Sequence, residues 1–82
     1  MTKSKSIKCE KLMEEAIRNA ESASRSWEKH EKCKMENNMI DAEIAIREFD
    51  YHRGYAEGIN QALVVIGFKH EQMKKLQELI LK

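Results

Sequence analysis

The distribution of glycine and proline places the strongest limit on the fold of this chain. Its 82 residues include no proline, and all three glycines lie between Tyr51 and Gly67. No glycine or proline between residues 7 and 53 therefore forbids one long helix. Gly54 and Gly58 are four residues apart, so they share a helix face on which a second backbone can approach closely. Gly67 precedes Phe68, which predicts a helix end with a hydrophobic contact behind it.

The composition indicates one small all-α domain. Charged residues make up 35% of the chain, and Glu, Lys, Ala, Met and Gln are plentiful. The longest apolar run, 62–66, is too short to span a bilayer, and no apolar signal core follows the basic N-terminus. We therefore expect a cytoplasmic protein in which Cys9 and Cys33 are free thiols. A core this small also favours self-association or a partner.

The net charge of +1 is unevenly distributed. Residues 36–66 carry a net charge of −4, whereas residues 1–8 carry +3 and residues 67–82 carry +2. An acidic middle between basic ends favours contacts between segments or between copies. It is not the charge pattern of a general nucleic-acid binder, which is strongly basic overall.

Helical periodicity predicts a first amphipathic helix over about residues 7–36, after a flexible basic tail at residues 1–6. Its apolar stripe comprises Cys9, Leu12, Met13, Ala16, Ile17, Ala20, Ala23 and Trp27. Asn37 and Asn38 predict a turn, because asparagine tolerates the left-handed conformation and Asn38 can cap the next helix, with Asp41 three residues later. One continuous helix paired with a second copy is the alternative. The apolar stripe is interrupted between residues 31 and 38, which favours the hairpin.

A second helix is predicted over about residues 39–66 and a third, short one over about 69–81. The second has an apolar sector covering half its circumference, which indicates two neighbours. The predicted fold is therefore a long antiparallel helical hairpin with a short C-terminal helix, in one domain spanning residues 7–82 and assembling into a helical-bundle oligomer. The residues predicted to form the protein interface are Trp27, Ile44, Phe49, Tyr51, Tyr55, Gly58, Ile59, Ala62, Leu63, Ile66 and Phe68.

Three polar residues, Asp41, Glu48 and His52, lie within the apolar sector of the second helix. Glu48 and His52 are four residues apart, and a carboxylate beside an imidazole is an ingredient of a metal site or a general base. The spacings of known helical metal sites are absent, however. We interpret the pair as internal polar residues that face Arg18 or Arg25 across the hairpin and fix its register.

Residues 61–79 also fit the general pattern of a DNA-binding helix-turn-helix, with Gly67 as the turn glycine. The reading helix would then carry Lys69, His70, Gln72, Lys75 and Gln77. The pattern departs at Leu63, where a small residue usually allows close helix crossing. The competing interpretation is a C-terminal helix that folds back and covers the hairpin.

No phosphate-binding loop, Ser-His-Asp order, nucleophile elbow or CxxC pair occurs, so we predict a protein without enzymatic activity or cofactor. Its composition is typical of small proteins of phages and mobile elements. The sequence therefore predicts an interaction module that inhibits or modulates a host protein through a helical face. A small transcription regulator using residues 61–79 is the alternative function.

Overall fold

The computed structural model describes residues 3–81, and this part of the chain contains three helices and no strand. They are α1 (Lys3–Met35), α2 (Met39–Val65) and α3 (Gln72–Ile80). α1 and α2 pack side by side as a hairpin and α3 folds back onto both, which gives an elongated molecule of 52 × 17 × 16 Å. The all-α hairpin is confirmed, and the alternative of one continuous helix is wrong. None of the described helices is long and apolar enough to cross a bilayer.

α1 begins earlier than its sequence predicts. Its first turn includes residues 3–6, which the sequence assigns to a flexible tail. Lysine and serine are compatible with a helix, and no proline or glycine stops it. Residues 1 and 2 of the predicted tail, and residue 82, lie outside the described residues.

The turn between α1 and α2 is built by two asparagines, as the sequence predicts. Asn37 has φ 60°, and its N–H donates to Lys34 O while Asn38 N–H donates to Cys33 O. These two bonds form the Schellman motif that satisfies the last carbonyls of a helix. The Asn38 side chain then accepts a bond from Asp41 N–H at 3.3 Å and donates to the Asp41 carboxylate at 2.7 Å. One asparagine therefore ends α1 and the next caps α2.

Polar contacts along one edge of the hairpin share a single antiparallel register. A buried or half-buried polar group needs a partner, so a shift of either helix would break these contacts together. They join Tyr55 Oη to Glu15 Oε1 at 2.6 Å, His52 Nδ1 to Asn19 Oδ1 at 2.8 Å, and His30 Nδ1 to Ala42 O at 2.9 Å.

Alanines line most of the contact between α1 and α2. Small residues on both helices allow the two backbones to approach closely, and this pairing of small with small selects the buried side of α2. The buried alanines are Ala16, Ala20 and Ala23 on α1, and Ala42, Ala45 and Ala56 on α2.

The large core side chains collect at the end of the hairpin that α3 covers. Met13, Leu63 and Leu76, one from each helix, are the largest side chains with no more than 1% exposure. Gly67, with φ 78°, ends α2 in a second Schellman motif, in which Phe68 N–H donates to Leu63 O at 3.0 Å. The side chains of Leu63 and Phe68 are both buried, which confirms the predicted helix end and its hydrophobic contact.

α3 begins three residues later than predicted. Residues 68–71 reverse the chain after Gly67 and insert Phe68 into the core. The His70 imidazole accepts the N–H of Gln72 at 3.1 Å, which satisfies one free donor at the start of the helix. From there Met73 and Leu76 point into the core.

Candidate interaction surfaces

The side of α2 that faces away from α1 is apolar along most of its length. At 100° per residue, it lies opposite the buried line that contains Ala42, Ala56 and Leu63. Exposure of its large side chains ranges from 38% for Tyr55 to 78% for Val65. Contiguous apolar patches of this kind on a small protein are often functional. We call it the outer face; it comprises Ile40, Ile44, Tyr51, Gly54, Tyr55, Gly58, Ala62, Val65 and Ile66.

Two of the three glycines lie in the middle of the outer face. A Cβ atom added at Gly54 or Gly58 would meet no atom within 4 Å, and both residues are exposed. Within residues 3–81, no other segment therefore makes the close approach that the sequence predicts for them. Each glycine weakens the helix relative to alanine without a compensating contact from the part of the chain that the structure describes.

Charges border the outer face more than they interrupt it. Arg47 is the one charged residue near its centre line, and its guanidinium lies 2.7 Å from the Glu43 carboxylate four residues earlier. Arg53 and Glu57 form a second such pair, at 2.9 Å. Exposed pairs of this kind contribute little stability, so Arg47 remains available to another carboxylate.

The structure divides the residues predicted to form the interface into three groups. Leu63 and Phe68 are buried in the core and Ile59 packs against it, so these three do not lie on an accessible face. Trp27 and Phe49 line a groove on another side of the hairpin. The remaining six belong to the outer face: Ile44, Tyr51, Tyr55, Gly58, Ala62 and Ile66.

Sequence reasoning omitted Ile40, Gly54 and Val65 from the predicted interface. The signal was present as a second seven-residue spacing, since residues 44, 51, 58 and 65 form one line and residues 42, 49, 56 and 63 form another. A single wide apolar sector merges these two lines, so the outer line is not recognised as a separate face.

The groove beside Trp27 is an open cavity of about 300 Å³ at the C-terminal end of α3. Its aromatic wall pairs Trp27 with Phe49 at 5.1 Å between ring centroids, and the Arg53 guanidinium lies 5.6 Å above the Phe49 ring. Leu79 and Ile80 of α3 form the opposite wall. The groove exists because α3 is short and covers only part of the furrow between α1 and α2.

The residues assigned to DNA reading under the alternative lie around α3, some beside carboxylates of α1. Lys69, Gln72, Lys75 and Gln77 are exposed, and His70 is half-buried against the Phe68 ring. His70 Nε2 lies 3.5 Å from Glu10 and Lys75 Nζ lies 3.8 Å from Glu21. These acids reduce the positive potential that phosphate binding requires.

The polar residues considered for metal or acid-base chemistry do not converge. Asp41 belongs to the cap of α2, Glu48 is exposed, and His52 contacts Asn19. His52 therefore does contribute to the register, but through Asn19 and not through Arg18 or Arg25. No group of three His, Cys, Asp or Glu residues that could hold a metal ion occurs within residues 3–81. Both cysteines are free and buried.

Tyr55 links the outer face to α1. Its hydroxyl donates to the Glu15 carboxylate, and this bond, with partial burial and the negative charge of Glu15, raises the pKa of Tyr55 above 10.0. The bond also fixes the ring at one border of the outer face, so part of the face is ordered before anything binds to it.

The chain matches no protein-family model, no curated protein and no solved structure. The functional assignment therefore depends on the surfaces described above.

Proposed function

We propose that this protein is a non-enzymatic interaction module that acts by burying the outer face of α2 against another protein molecule. The observation that carries the proposal is the exposure of large apolar side chains on the outer face, from Ile40 to Val65, while Ala42, Ala45 and Ala56 of the same helix are buried. A helix face with tyrosine and aliphatic anchors and a charged border is a common protein-recognition surface. Inhibition or modulation of a host factor, as small phage proteins perform it, is the biological role we assign to this binding.

The outer face is preferred to the Trp27 groove for a physical reason. Its apolar residues extend along the full length of α2, whereas the groove is local and half-enclosed by the chain itself. Burial of apolar surface is the main favourable term in association, so the longer face contributes more. No specific contact favours the DNA-binding alternative, and it stays a prediction.

Charge placed in the outer face tests the proposal. Ile44→Glu introduces a carboxylate into this face, and Ile7→Glu is a matched control because Ile7 on α1 is 46% exposed and Ile44 is 47% exposed. Circular dichroism establishes that both variants remain helical. We expect Ile44→Glu to abolish association, measured both as self-association of purified protein and as retention of a specific protein from host lysate. The proposal is wrong if neither measurement detects an association that Ile44→Glu removes and Ile7→Glu preserves.

A further inference from the structure

We infer that the outer face of α2 binds the outer face of a second copy, with the two α2 helices antiparallel and a two-fold axis close to Tyr51. The inference rests on the proposed function, because it names the occupant of the same face. Three features support this occupant: the order of large and small residues, the position of the charges, and the length of the face.

The small residues of the outer face are confined to the C-terminal half of α2. Gly54, Gly58 and Ala62 lie there, together with the larger Tyr55, Val65 and Ile66, whereas the N-terminal half carries Ile40, Ile44 and Arg47 and no small residue of this face. In an antiparallel pair centred on residue 51, Ile44 of one copy lies opposite Gly58 of the other, and Ile40 lies opposite Ala62. Each of these two isoleucines then fills the space above a small residue, which is the packing that close helix contacts require. A parallel pair would instead place large against large and leave a gap between the glycines.

The charges favour the same arrangement. An antiparallel pair places Arg47 level with Tyr55 of the second copy, two residues before Glu57, whose carboxylate borders the outer face. A parallel pair would place Arg47 of one copy against Arg47 of the other. Like charges in an interface are unfavourable and opposite charges select the partner and its orientation. The two-fold axis generates this contact twice, as expected for an isologous dimer.

The position of the axis follows from the length of α2. The helix runs from Met39 to Val65, so its midpoint falls at residue 52. An axis near Tyr51 therefore gives almost complete overlap of the two helices, over about 40 Å. With a width of about 10 Å, the face offers on the order of 400 Å² per copy in projection. The accessible area over its side chains is larger, yet it falls at or below the roughly 800 Å² per partner of a standard interface. We therefore expect a reversible dimer with a dissociation constant in the micromolar range.

Sedimentation equilibrium of the full chain, from micromolar to millimolar concentration, tests the dimer. We expect the mass to rise to twice that of the chain. Ile44→Glu should weaken the dimer at least tenfold, whereas Ile7→Glu should leave its dissociation constant unchanged. A mass of one chain throughout overturns the inference, as does equal weakening by both variants. If the protein is monomeric but Ile44→Glu removes a protein captured from lysate, the inference fails and the proposed function stands.

Thiol cross-linking tests the orientation. Ile44→Cys and Gly58→Cys are prepared separately, one with an affinity tag, and are oxidised alone and as a mixture. Wild type serves as the control for the buried native cysteines. The antiparallel arrangement predicts at least tenfold more cross-linked product in the mixture than in either variant alone. Efficient cross-linking of Ile44→Cys to itself would show a parallel pair and overturn the inference.

Discussion

Replacing a glycine by alanine should stabilise the protein at two positions and destabilise it at the third, depending on the backbone conformation of the glycine. Gly54 and Gly58 lie inside α2 and are exposed, and beyond the local backbone of α2 no atom of residues 3–81 lies within 4 Å of the position where a Cβ would be. Alanine at either position gains helix propensity without a clash, so we expect each substitution to raise the free energy of unfolding of the monomer by about 0.5–1 kcal/mol. For a domain of this size, 1 kcal/mol corresponds to a rise in melting temperature of about 4–8 °C.

Gly67→Ala should have the opposite effect. Gly67 also has open space around its Cβ position, but its φ of 78° lies in the left-handed region. Alanine there places Cβ close to the following carbonyl oxygen and should lower the free energy of unfolding by about 1 kcal/mol. Because the space around the Cβ position is open at all three glycines, the difference in stability between these variants isolates the effect of backbone conformation.

Thermal and urea unfolding, followed by circular dichroism and by the fluorescence of the single tryptophan, Trp27, measure these effects. The measurements use concentrations at which the protein is monomeric. The reasoning is refuted if Gly58→Ala destabilises the monomer, since another segment would then have to approach this glycine. At concentrations where the dimer forms, the benefit of Gly58→Ala should shrink or reverse. The added methyl group weakens the dimer, and dimer formation stabilises the folded state by mass action.

Three further substitutions test separate features of the fold. Asn60 Oδ1 is buried without a hydrogen-bond partner, so Asn60→Leu should raise the free energy of unfolding in urea by about 1 kcal/mol or more. Glu15→Gln should lower the pKa of Tyr55, which is measured by phenolate absorbance. Folding raises this pKa, so the contact between Tyr55 and Glu15 contributes its full stability below pH 10.0. That stability is lost as the pH rises through the pKa of the folded state. Asn37→Gly should raise the melting temperature slightly, because glycine adopts the φ of 60° without strain.

Neighbouring residues provide the controls for these substitutions. Gln61→Leu on the exposed side of α2 should change stability by less than about 0.5 kcal/mol, and an equal gain there would contradict the role given to Asn60. Glu14→Gln should leave the Tyr55 titration unchanged. Asn38→Ala removes the cap of α2 and should cost about 1 kcal/mol, opposite in sign to Asn37→Gly.

The sequence predicted the ends of the helices well because short-range chemistry determines them. Asn37 is predicted as a terminator from its tolerance of the left-handed conformation and Gly67 from its position before Phe68, and both have positive φ. Asn38 was identified as a cap from the Asp41 that follows it, and both groups form the expected bonds. The late start of α3 was missed, because it depends on burial of Phe68, which is a tertiary effect.

The buried side of α2 could not be predicted from hydrophobicity. The sequence pattern gave weight to the isoleucines and tyrosines of the second helix, yet its buried contacts with α1 are made largely by alanines. The reason lies on the other helix. α1 offers Ala16, Ala20 and Ala23 at its centre, and a close approach of backbones there excludes residues as large as isoleucine or tyrosine from the same contact. A pattern within one helix does not contain this information. The prediction that Leu63 and Phe68 belong to the interface is wrong for a related reason, because α3 folds over them.

The distribution of the core also bears on why α2 would need a second copy. Large buried side chains cluster where α3 crosses the hairpin, whereas the half near the turn is only two helices thick. Burial of an alanine methyl stabilises by about 0.8 kcal/mol, so the alanine contacts of that half contribute little. This half also exposes Met39, Ile40 and Ile44. An antiparallel pairing places it against the three-helix end of the other copy, so that the thin half of each chain is covered by the thick half of its neighbour. A partner that covered only the C-terminal half of α2 would leave the thin half uncovered, which is a physical reason to prefer the two-fold dimer.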